Sequence, residues 1–69
     1  MRIDVKPNRI DGWCNIPGWR GEQSVIVFLT IQGKWHIASC MGLPSDIEAA
    51  RVVHECVEAA FQELKKLGV

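Results

Sequence analysis

Two spacings divide the chain. As far as residue 41 the apolar residues alternate with polar ones or run together in short β-branched stretches, as strands require. From Ser45 onward they recur every three or four positions, as one face of a helix requires. Within the first part, Arg2-Ile-Asp-Val-Lys6 alternates and then meets Pro7-Asn8, which predicts a short strand closed by a turn. Between Arg9 and Gln23, Gly12, Pro17, Gly18 and Gly21 interrupt Trp13, Ile16 and Trp19, so a short strand near Gly12 to Ile16 followed by a loop is expected. Ser24 to Ile31 is β-branched and aromatic, Gln32-Gly33 breaks it, and Lys34 to Cys40 is extended again, a hairpin. With Gln32-Gly33 as a two-residue loop, Thr30 faces Trp35, Phe28 faces Ile37 and Ile26 faces Ser39. The other face then holds Val25, Val27, Leu29 and Ile31 beside Lys34, His36, Ala38 and Cys40.

Pro44 ends the strand character, and Ser45-Asp46-Ile47-Glu48 carries the pattern of a reciprocal cap, with Ser45 accepting from the Glu48 N–H, opening a helix over 45–67. Asp46 and Glu48 suit the positive end of that helix, and Lys65 and Lys66 the negative end before Gly68. Ile47, Ala50, Val53, Val57, Ala60, Phe61 and Leu64 form its main apolar stripe, and Val52, Cys56 and Ala59 widen it sideways. Such a surface is wide for one small sheet. The flank is therefore expected either to meet a second copy of the chain, as a homodimer interface of Val52, Cys56 and Ala59, or to be covered by the N-terminal segment.

The elements together define an α+β fold, a small antiparallel sheet of three to four strands over 1–41 with one long C-terminal helix packed on one face, in a single domain. Sixty-nine residues bury only about 60% of the unfolded chain's surface, so self-association is a natural source of added stability. The apolar share of 48% is ordinary, with neither a membrane-spanning run nor a leader-like start, which points to a cytoplasmic protein. Cys14, Cys40 and Cys56 are odd in number and widely spaced, which favours free thiols over a disulfide scaffold. The net charge is zero but unevenly spread. Arg2, Lys6, Arg9, Arg20 and Lys34 outnumber Asp4, Asp11 and Glu22 before residue 41, and acidic residues outnumber basic ones after it.

Catalytic signatures are thin. His36 and Cys40 fall on one strand face by simple alternation but lack a third ligand or an orienting group, and His54 and Cys56 point about 160° apart on a helical wheel. The Gly18-Trp-Arg-Gly21 loop lacks the ending that cradles a nucleotide phosphate. No enzyme activity, catalytic residue, metal or cofactor is expected. Rigid rings and a guanidinium on a glycine-punctuated loop are instead the groups that dominate protein interfaces, so Trp13, Trp19 and Arg20, extended by Lys34 and Trp35, form the candidate partner-binding patch. Tryptophans also serve as lids on small cores, and for Trp13 and Trp35 that use competes with partner binding.

The order of hairpin (Gln32-Gly33-Lys34), glycine-containing crossover and alanine-rich capped helix (Gly42-Leu-Pro-Ser-Asp-Ile-Glu-Ala-Ala50) resembles the second half of a double-stranded-RNA-binding domain and the sheet-plus-helix of plant AP2-type and integrase arm-binding domains, over about half the chain. The RNA-binding likeness implies lysines at the helix start, where this chain has Asp46 and Glu48, which repel phosphate. The arm-binding likeness implies a sheet laid in the major groove, with Arg9, Trp13, Trp19, Arg20, Lys34 and Trp35 on the nucleic acid. The leading expectation is a small non-catalytic protein-binding module, a homodimer, of the size that bacteriophages and mobile elements use to inhibit or redirect a host protein. DNA binding by the sheet is the alternative, and no membrane partner is expected.

Overall fold

The computed structural model describes residues 1–68. Four strands, β1 (Arg2–Lys6), β2 (Arg9–Asn15), β3 (Glu22–Ile31) and β4 (Lys34–Cys40), precede one helix, α1 (Ile47–Lys66). The strands form an antiparallel meander in the order β1-β2-β3-β4, and α1 packs against one face, the α+β architecture read from the sequence. No helix of the described residues is long and apolar enough to cross a membrane.

β2 is longer and earlier than the glycines suggested, beginning at Arg9 rather than Gly12. Gly12 sits inside the ladder opposite Ile26, where lack of a side chain lets the helix approach. A Cβ at that position would stand 3.0 Å from Ile26 Cγ2 and 3.2 Å from Cys56 Sγ. A bulge beside Gly12 leaves Val25 without a partner on β2, since Gly12 faces Ile26 while Trp13 faces Ser24. Val25 thereby joins Ile26 in the core, correcting its expected place on the opposite face.

The β3–β4 hairpin turns on Gln32 and Gly33, both at positive φ (54° and 77°), the two-residue turn whose twist matches the strands. Thr30 pairs with Trp35 and Phe28 with Ile37 as the loop length demands, but Ile26 faces Cys40 rather than Ser39. The extra residue is Ala38, since Val27 pairs with Ser39 while its neighbour Phe28 pairs with Ile37.

Helix α1 begins one residue later than the Ser45 cap predicts. Asp46 is the N-cap, extended at φ −72°, ψ 130°, and its side-chain oxygen accepts from the Ala49 N–H at 3.0 Å. Glu48 then lies too early for a reciprocal bond and serves only the positive end of the helix dipole. At the other end the Leu67 N–H donates to Leu64 O and the Gly68 N–H to Lys65 O, with Gly68 at φ 82° closing the helix.

The core joins Ile10, Cys14, Ile16, Val25, Ile26 and Phe28 of the sheet side to Ala49, Val53, Cys56 and Ala60 of the helix. Phe28 and Phe61 meet edge to face, with ring centroids 5.0 Å apart. Burying a residue of Phe28's or Ile10's size contributes about 1.5–3 kcal/mol each, and so few of them leave a narrow margin. The buried line 49-53-56-60 is rotated from the expected main stripe. Cys56 lies at the centre of the core and Ile47 is 78% exposed.

Candidate functional site

The sheet has two unlike faces. Alternation along β2 sends Ile10, Gly12 and Cys14 toward α1, and Arg9, Asp11 and Trp13 to the opposite, helix-free face. There the charges neutralise one another. The Arg9 guanidinium donates to both carboxylate oxygens of Asp11, at 2.7 and 3.0 Å, and this contact holds the Asp11 carboxyl below its usual range although the residue is buried. Arg2 donates to Glu22 at 2.7 Å and to Asp4, and its guanidinium lies 5.1 Å over the Trp13 ring. The Glu22 carboxyl is likewise lowered, chiefly by its bond from Arg2. Trp13 is thus half-buried as a platform under Arg2, and its indole N–H finds no partner among the described residues.

Trp19 is placed differently. Ile16-Pro17-Gly18-Trp19 forms a tight turn in which the Trp19 N–H donates to Ile16 O at 2.9 Å, with Pro17 second and Gly18, at φ 85°, third. Gly21, at φ 73°, ends the loop, and the Gln23 side-chain amide donates to Arg20 O at 2.9 Å. Anchored at both sides, the loop leaves Trp19 48% exposed beside an exposed Arg20.

The five residues of the expected partner patch do not form one surface. Trp19 and Arg20 lie before the start of β3, and Lys34 and Trp35 follow its end, so the ten residues of β3 separate them by roughly 30 Å at about 3.3 Å per residue. The molecule measures 37 × 17 × 17 Å, long enough for the two groups to occupy opposite ends. Trp35, on the helix side, packs against the edge of the core and is half-buried, the lid use that competed with partner binding.

The expected helix flank also dissolves. Cys56 is fully buried and Val52 packs against the core, with Ala59 half-buried, so sheet and helix consume that surface internally. The unspent apolar area lies elsewhere. Helix α1 covers β2, β3 and β1 but not β4, which leaves Ile37 55% exposed, with Leu43 and Ile47 exposed in the crossover and first helical turn. A helix about 10 Å across cannot roof four strands spaced about 4.8 Å apart, although the sequence does not say which edge stays open.

The His36 and Cys40 pairing expected from alternation fails as well. His36 stands opposite Leu29 and Cys40 opposite Ile26, three residues apart on β3 and hence on opposite faces, because Ala38 is inserted between them. Among the described residues no group of His, Cys, Asp and Glu is placed to hold a metal, and no pocket is formed. Comparison of the chain with protein-family models, curated proteins and solved structures finds no match.

Proposed function

We propose that this α+β chain is a small non-catalytic protein-binding module that engages another protein through Trp19 and Arg20 and works as a homodimer, for which the apolar surface left uncovered beside β4, and not the helix flank, is the support. The observation that supports the partner binding most is the Pro17-Gly18 turn, which fixes the backbone that presents a half-exposed Trp19 before any partner arrives. A loop backbone already fixed in place loses little entropy on binding, and tryptophan and arginine are among the side chains most enriched at interface hot spots. A sheet-borne DNA-binding role has less support. Arg2 and Arg9 on the helix-free face are matched by Glu22, Asp4 and Asp11, which leaves little net positive charge there for a phosphate backbone.

The test compares immobilised wild-type protein with Trp19→Ala, using a cell lysate and, separately, a mixed-sequence DNA duplex. The expected result is a protein retained by the wild type, at about 50 and about 200 mM salt alike, and weakened about 30-fold or more by Trp19→Ala, the hot-spot loss of about 2 kcal/mol. Far-UV circular dichroism should not change, since the ring is not part of the core. Retention indifferent to Trp19, or duplex binding that collapses steeply between those salt levels, would remove the proposal.

A further inference from the structure

We infer that the partner copy in the homodimer binds along β4, with the two β4 strands antiparallel about a twofold axis through His36, joining two four-stranded sheets into one of eight. The inference rests on the homodimer reading and assigns its surface.

The two edges of the sheet are not equivalent. β1 carries Arg2, Asp4 and Lys6, with Arg2 tied to Glu22 and Asp4, and it lies under α1. Charged side chains and a covering helix are how proteins blunt an edge strand. β4 has neither defence. The helix does not reach it, and Lys34 at its first position is its only formal charge. Its outer backbone groups form an unpaired row with apolar side chains beside it, the combination that invites another strand.

The register follows from the bulge and from charge. Side chains alternate regularly from Lys34 to Ile37, and the extra residue at Ala38 breaks that alternation. Directly opposed residues of an antiparallel pair share a face, so a symmetric pairing of this segment must be centred on a residue and not between two. Centring on Trp35 sets Lys34 against His36 and places Ile37 opposite Gly33 of the turn, outside the ladder. Centring on Ile37 draws the irregular stretch beyond Ala38 into the ladder.

Centring on His36 opposes Trp35 to Ile37 twice, an aromatic–aliphatic cross-strand pair on the helix side, and sets Lys34 against Ala38 rather than against its own copy. Like charges are thereby kept from facing each other. A ladder this short falls below the roughly 1,000 Å² of a specific interface, so the pairing is weak and depends on protein concentration. Pairing is isologous and closes at two copies, whereas β4 on β1 of another copy would propagate without end.

Sedimentation at about 100 µM protein tests the pairing, because association depends on concentration. The wild type should run at twice 7.7 kDa, Ile37→Glu at 7.7 kDa with unchanged circular dichroism, and Val5→Glu on the opposite edge at twice 7.7 kDa. A second measurement tests the register: His36→Cys in a Cys40→Ser background should form a disulfide-linked dimer under mild oxidant, since opposed Cα atoms about 4.5–5.5 Å apart suit a disulfide. A wild-type monomer would overturn both the β4 pairing and the homodimer, leaving Trp19-dependent capture to stand or fall separately. A dimer that survives Ile37→Glu, or a His36→Cys dimer that does not cross-link, would overturn the proposed surface or register and leave the homodimer intact. Should Ile37→Glu fail to fold, the cross-link alone decides.

Discussion

Gly12 is the residue on which the closeness of sheet and helix depends. It faces Ile26 across the ladder and stands under Cys56, so even a methyl group meets atoms on both sides. Gly12→Ala should therefore destabilise the fold by about 1–3 kcal/mol, the usual cost of overpacking, read as a lower urea midpoint with an unchanged slope. A midpoint equal to that of the wild type would mean that the helix can lift away freely. In the sequence this glycine reads as an interruption, because a missing side chain looks the same whether it marks a turn or a close approach. Trp13 and Trp19 raise a similar ambiguity. Their residue type indicates importance, but only their surroundings separate a platform beneath Arg2 from an exposed loop tip.

Elements were legible where local chemistry has one solution. The Gln32-Gly33 turn set the hairpin and its first two pairs, and the helix emerged from its own periodicity. Its start was ambiguous because Ser45 and Asp46 are both strong capping residues, one position apart. The cap bond to Ala49 makes a direct prediction: Asp46→Ala should cost about 1 kcal/mol in chemical denaturation, and Ser45→Ala only a small fraction of that. Equal losses would restore the earlier cap. Two bulges, at Val25 and Ala38, had no signal of their own in the sequence. Each inserts one residue and reverses every side chain beyond it, which is why His36 and Cys40 part and why Val25 enters the core.

At the scale of the molecule the three thiols report the packing. Cys14 and Cys56 are buried and Cys40 is exposed. Burial pushes the Cys56 thiol up to about 11, with proximity to Cys14 adding to the rise, so it remains protonated and inert at neutral pH. A chromogenic disulfide reagent should react rapidly with one thiol in the native protein and with all three in denaturant. Two fast thiols in the native state would contradict the core described for α1 and β2. One helix over four strands also leaves an edge unroofed, and the choice of β4 over β1 moves the leftover apolar surface from the helix flank to Ile37, Leu43 and Ile47.

Periodicity, turn chemistry and size determined the α+β class, the hairpin and the C-terminal helix, because each depends on neighbours within a few positions. The helix's rotation on the sheet, the edge left uncovered and the separation of Trp19 from Trp35 were settled only in the folded chain. They depend on bulges and on which strands the helix can reach, and both follow from contacts between residues far apart in sequence.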